Sequence, residues 1–256
     1  MQVTRRTVIE AGFLAVGLAA LPAIGYAATS GFTHSVASGD PTADSVVLWT
    51  RYVGANAGST ELLVEIADDA RFAAVVSRGR ATSNFDTDFC AHAVPTGLRA
   101  GRWYYYRFTA PDGTRSPVGR TRTLPTGSLD RFRIGVFSCA NATSGWFTAY
   151  GHAAARDDLD LLVHTGDYIY ESPTDRSDAL IELAQKRDIQ PRGEAITLAD
   201  YRLRYASYRA DAGLAELHRR YPMIVMWDDH ETANNSWPDG ATPRTSGASW
   251  RISPSS

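Results

Sequence analysis

The stretch VMWDDHETANNSW, residues 225–237, sets a problem that decides the fold. Apolar Ile224, Val225 and Met226 run straight into Asp228, Asp229, His230 and Glu231. Unpaired carboxylates are costly to bury, so such a knot of charge belongs at a solvent-open strand end beside a counter-ion, a metal or a substrate. Two more segments have the same form. Phe132 to Ser138 is an apolar run ending in Cys139, and Leu159 to Thr165 is an apolar run ending in Gly166-Asp167-Tyr168-Ile169-Tyr170. Short apolar runs of this kind read as buried parallel strands, and ligands of α/β sheets bind at the carboxyl ends of such strands. With a helix predicted over 147–156 and another over 198–220, the punctuation is βαβ.

The chain before residue 125 reads differently. Ser45 to Thr50, Leu62 to Ile66 and Trp103 to Phe108 are strand-like, separated by turn signals such as Asp40-Pro41, Gly101 and Pro111-Asp112-Gly113, as in an antiparallel sandwich. The segment Leu98 to Arg107 resembles a turn and strand of fibronectin type III modules. The expected organisation is a β-sandwich over 31–125, a Leu124 to Ser128 linker, and an α/β layer structure over 130–240. Residues 241–256 lose all apolar period and read as a disordered or aberrant tail.

Composition narrows the function classes. The 256 residues are 44% hydrophobic and 11% aromatic, with a formal net charge of −2, so the chain is globular and has no basic stripe for a nucleic-acid backbone. The first 28 residues carry Arg5-Arg6 and then an uncharged stretch from Ala11 to Ala28, the pattern of a twin-arginine export signal and not of a membrane anchor. A periplasmic or extracellular location and the twin-arginine machinery as export partner follow. In such a compartment Cys90 and Cys139 would by default form a disulfide, whereas the place of Cys139 at a strand end speaks for a ligand.

The donors gathered at the three strand ends are Cys139, Asp167, Tyr170, Asp229 and His230. Taken singly, Asp167 reads as a turn cap, Tyr168 and Tyr170 as packing aromatics and Cys139 as a small buried hydrophobe; their common placement at strand ends carries the site reading. Thiolate and phenolate suit ferric iron, carboxylates suit calcium, magnesium or manganese, and a pair of metals suits displacement at phosphorus.

Gly166-Asp167 with Tyr170, followed by Asp229-His230-Glu231, resembles the GD-x-x-Y and GNH[DE] blocks of calcineurin-like and purple acid phosphatases. In their particular forms, Ser138-Cys139, HTGDYIYE (164–171) and WDDHE (227–231) look like the PhoD-type alkaline phosphatase and phosphodiesterase family, and FTHSVASGDPTADSVVLWTRY (32–52) resembles that family's N-terminal sandwich. The resemblance implies an α-β-β-α metallophosphoesterase domain and an exported hydrolase of phosphate monoesters, diesters or phospholipids that uses a metal-bound hydroxide. It implies Fe3+ held by Cys139 and Tyr170, Asp167 bridging iron and Ca2+, and Asp229 on the calcium side. Asp228 shares or replaces that last role, and Asn235 is a weaker candidate for a neutral oxygen ligand. His230 would act on the leaving group as the catalytic residue, with Glu231 supporting its ring. Other histidines, His164 among them, read as core or solvated residues, and Arg202, Arg204 and Arg209 as one solvated helix face. The family's later motifs supply a further histidine and carboxylates, and no histidine follows Glu231, so a truncated member is expected, with part of its sheet uncovered. The competing reading is a secreted sandwich that binds a ligand and carries an inactive phosphatase remnant.

Overall fold

The computed structural model describes residues 30–55, 57–174, 187–237 and 240–241. Residues 1–28, read as an export signal, and 242–256, most of the segment read as a tail, lie outside the described residues. Seven strands come first: β1 Gly31–Gly39, β2 Val47–Val53, β3 Thr60–Ala67, β4 Val75–Ser83, β5 Cys90–Ala93, β6 Trp103–Thr109 and β7 Gly119–Arg122. There follow β8 Ile134–Phe137, α1 Thr148–Ala154, β9 Leu161–His164, α2 Leu198–Arg209, α3 Ala212–Arg220 and β10 Pro222–Val225.

Alternation makes the early strands. In β6 the side chains of Tyr104, Tyr106 and Phe108 are fully buried while Trp103, Tyr105 and Arg107 face outward and are half-buried, the period of two that a sheet with one packed face requires. A four-stranded antiparallel sheet runs β4-β3-β6-β7. A six-stranded sheet runs β5-β2-β1-β10-β9-β8. The first core lies between these sheets, with Val36, Leu48 and Ala91 from one meeting Leu62, Ile66 and Phe108 from the other.

The six-stranded sheet crosses the boundary that composition marks near residue 125. Its β5-β2-β1 portion is antiparallel, and β1 then pairs in parallel with β10 through Ser38–Pro222 and Gly39–Met223. Gly39 is required at this seam, since a Cβ there would fall 2.8 Å from the Met223 carbonyl oxygen. Beyond it, β10, β9 and β8 are parallel neighbours. One of their faces packs on the helices through a second core of Phe147, Tyr150, Leu162, Tyr208, Leu217 and Met223. On edge strand β8, Ile134 and Val136 are exposed.

One expectation is corrected and one default pairing is ruled out. The single helix over 198–220 is two helices, because the Asp211 carboxylate accepts the Leu214 N–H at 3.0 Å and caps a new start. The new axis lets α3 bury Leu214, Leu217 and His218 together. The cysteines are both free thiols. Cys90 lies on β5 and Cys139 follows β8, at opposite edges of a six-stranded sheet. Five strand spacings are roughly 24 Å, against the roughly 7 Å that a disulfide tolerates between Cα atoms.

Candidate metal centre at three strand ends

Parallel pairing brings the carboxyl ends of β8, β9 and β10 side by side, and main-chain bonds then staple their exit loops together. The Cys139 N–H donates to the Gly166 carbonyl at 3.3 Å and the Ala140 N–H to the Asp167 carbonyl at 3.0 Å. Cys139 and Asp167 both sit at positive φ, 55° and 52°, where the left-handed backbone turns each chain sharply off its strand. Gly166, at φ +107°, lies so close to the third loop that a Cβ would fall 2.5 Å from that of Asp228. Only glycine meets both demands.

The third loop is a one-turn 3-10 helix, Asp229–Glu231, capped by Asp228, whose side chain accepts the Asp229 N–H at 3.0 Å. Buried Glu231 locks it to the second loop. Its carboxylate accepts the N–H groups of Asp167 at 2.9 Å, Tyr168 at 2.6 Å, Asp228 at 2.7 Å and, more weakly, Ile169 at 3.4 Å.

On this frame the donor atoms of Asp167, Asp229 and His230 lie within 4.8 Å of one another. Tyr170 donates its phenol to Asp167 Oδ2 at 3.0 Å, and its ring lies 4.1 Å from that of His230. Burial, and then the adjoining Asp167 carboxyl and Cys139 thiol, push the Tyr170 phenol up. Cys139 is exposed beside it. Asp167 Oδ1 is buried and has no hydrogen-bond partner among the described residues. A shielded carboxylate oxygen without a donor, next to a second carboxylate and an imidazole, is what a cation would satisfy. The residue types present therefore fit a metal. Asn235 reaches the cluster through its main chain, donating its N–H to Asp229 Oδ2.

Glu231 does not support the His230 ring. That contact belongs to Glu171, whose Oε2 lies 2.7 Å from His230 Nδ1 while Oε1 accepts the Asn234 N–H at 2.8 Å. The reading of Arg204 as solvated is also overturned. Arg204 is 1% exposed, and its guanidinium donates to the carbonyls of Tyr170, Ser172, Gln190, Pro191 and Gly193, fastening α2 to the loop that carries the site. Arg202 donates to the Asp86 carbonyl and Arg209 lies 4.1 Å over the Trp49 ring.

Behind the site, Tyr150 OH meets His164 Nε2 at 2.9 Å and Tyr168 OH meets His218 Nε2 at 2.8 Å. Burial lowers the His164 pKa to about 4 and that of His218 well below its ordinary value, so both are neutral core rings. His92 and His152 are solvated.

Two family models match the chain, one described as PhoD-like phosphatase over residues 134–252 and one as PhoD-like phosphatase, N-terminal domain, over residues 19–125. Alkaline phosphatase D of Bacillus subtilis (strain 168) is 38% identical over 213 residues, covering 80% of this chain and 36% of that protein. A solved structure of PhoD superposes with a TM-score of 0.74 at 36% identity, covering 85% of this chain and 42% of that one. The purple acid phosphatase PPD1 of yellow lupin (Lupinus luteus) superposes at 0.53 with 13% identity, over 85% of this chain and 38% of its own, a likeness of fold alone. The chain thus spans well under half the length of each of these relatives.

Proposed function

The chain belongs to the PhoD-like phosphatase family, and from that premise we propose that it is a metal-dependent phosphoester hydrolase of the alkaline phosphatase and phosphodiesterase kind. The observation that carries the proposal is the convergence of Asp167, Asp229 and His230 within 4.8 Å around an unpartnered, buried Asp167 oxygen. Cys139 and Tyr170, as thiolate and phenolate, are donors for ferric iron. Asp167 stands between them and Asp229, whose carboxylate suits calcium. Cations held there would neutralise phosphoryl oxygens and acidify a water.

The chain's own residues supply the rest. Glu171 holds His230 through Nδ1, and the Tyr170 ring packs against it, so that with the two carboxylates holding the cation Nε2 is left to exchange a proton with the departing ester oxygen. The substrates are phosphate monoesters, diesters or phospholipids. On the same reading residues 31–125 are a fibronectin-like sandwich, 130–240 hold the first part of an α-β-β-α metallophosphatase domain, and the protein is exported by the twin-arginine route to the periplasm or beyond.

The test is metal analysis of the purified chain together with hydrolysis of a chromogenic phosphate monoester and diester at alkaline pH. Bound iron and calcium are expected, with turnover falling at least a hundredfold in Asp167→Asn and a visible phenolate-to-iron band lost in Tyr170→Phe. A chain that takes up neither metal and turns over neither ester would end the proposal.

A further inference from the structure

Strands β1, β2 and β5 of the six-stranded sheet, helix α2 and the turn after β10 enclose a cavity of about 370 Å3. That volume falls in the range of small-molecule sites. Trp49, Trp227, Tyr201, Tyr205 and Leu198 make its wall largely aromatic and apolar. The charged groups on the wall are of two kinds, and most are already satisfied. Asp88 is closed on Arg51, with Nη2 3.1 Å from Oδ1. Glu231 is consumed by the main-chain N–H groups of two site loops. Arg202 donates to the Asp86 carbonyl. His34, its Nε2 3.2 Å from the Ala206 carbonyl, is held neutral, burial first and then Arg51 and Arg209 lowering its pKa to about 4.

Arg209 is the exception. Its guanidinium lies 4.1 Å over the Trp49 ring and beside the Tyr168 phenol, and its Nε and Nη2 are shielded from water with no hydrogen-bond partner among the described residues. A guanidinium on an indole face is favourable, and among the described residues no carboxylate is paired with this one, so its charge acts on the cavity as a positive potential. Aromatic walls around one uncompensated cation select by shape and by charge at once.

We propose that this cavity is a ligand site for a small, flat aromatic molecule bearing one anionic group, with its ring among Trp49, Trp227 and the α2 tyrosines and its charge drawn by Arg209. The cavity borders the metal centre through Trp227 and Glu231 but takes in none of its donors Asp167, Asp229 or His230, so the two readings can be tested separately.

Three probes of one shape distinguish them: naphthalene-1-sulfonate, naphthalene-1-methanol and 1-naphthylmethylammonium, titrated calorimetrically into the full chain with chelator present, so that no metal at the strand ends can hold the sulfonate. The sulfonate is expected to bind one to one, quench tryptophan fluorescence, and bind at least tenfold more tightly than the alcohol, with the ammonium weaker still. Ala206→Phe, which fills the cavity, should weaken the sulfonate at least tenfold, and Arg209→Met should bring it to the level of the alcohol. Far-ultraviolet circular dichroism checks that both variants are folded, and the ranking of the three probes on the unaltered chain needs neither variant. No sulfonate binding, equal binding of all three probes as for an apolar surface that takes up polypeptide, or an affinity unmoved by Ala206→Phe would overturn the proposal.

Discussion

A carboxylate whose two oxygens accept the N–H groups of Asp167, Tyr168 and Asp228 is turned toward the main chain and away from the neighbouring imidazole. Glu231 and Glu171 therefore divide the work between backbone and side chain, and their amide variants should separate. Glu231→Gln turns one acceptor oxygen into a donor facing N–H groups; we expect a loss of about 2–4 kcal/mol in urea unfolding. Glu171→Gln leaves the loops pinned and withdraws charge from His230. On the proposed function it should cost about 1 kcal/mol in stability and roughly ten- to a hundredfold in turnover. Equal stability losses would refute the division. Gly166→Ala presents a third case, combining a left-handed φ with a clash against Asp228; a loss of about 2–4 kcal/mol is expected from the same measurement. That Asp167, Asp229 and His230 would come together was legible in the sequence, because each follows an apolar run that reads as a parallel strand. The partner of His230 was not, because residues on a 3-10 turn point about 120° apart, so Glu231 is directed away from the ring of the residue before it.

At the scale of elements, strand ends were legible and helix faces were not. The runs at 132–137, 159–165 and 223–227 each overlap a strand, β8, β9 and β10, and the parallel adjacency of those strands is what gathers Asp167, Asp229 and His230. The 198–220 segment offered many arginines and tyrosines and no clean apolar period, so nothing in it marked Arg204 as buried. Five main-chain carbonyls from the surrounding loops make that burial tolerable, and those loops are distant in sequence from one another. The fork geometry matters more than the charge. Arg204→Lys keeps the cation and reaches fewer of the carbonyls, so we expect a loss of about 3 kcal/mol or more in unfolding free energy. We also expect faster hydrogen exchange in the 169–173 segment that it anchors. A variant as stable as the parent would show that the carbonyls find other donors.

The sheet makes one body of what composition divides in two. Strand β1 is antiparallel to β2 on one side and parallel to β10 on the other, so it contributes Val36 to the first core while its far end, through Gly39, abuts the strand that delivers Asp229 and His230. His34 lies on the same strand and faces α2 through the Ala206 carbonyl, and His164 ends β9 beneath the site. Each ring has a folded pKa of about 4, depressed by burial from an ordinary 6.5. The sign of the linkage is then fixed. Above pH 6.5 both rings are neutral folded or unfolded and cost nothing. Between 6.5 and 4 the unfolded chain binds protons that the folded chain refuses, so stability falls as pH falls, and the loss levels off below 4. At pH 5 this amounts to on the order of 2 kcal/mol per ring, enough for two rings to remove a large part of a typical domain's stability. Urea unfolding at pH 7.5 and pH 5 should show that loss, and His34→Asn should reduce the difference by about half. Because β1 and β9 share one sheet, the acid transition should appear as one cooperative step by fluorescence and circular dichroism alike. A flat stability profile from pH 7.5 to pH 5 would mean that these histidines accept protons without breaking the contacts around them.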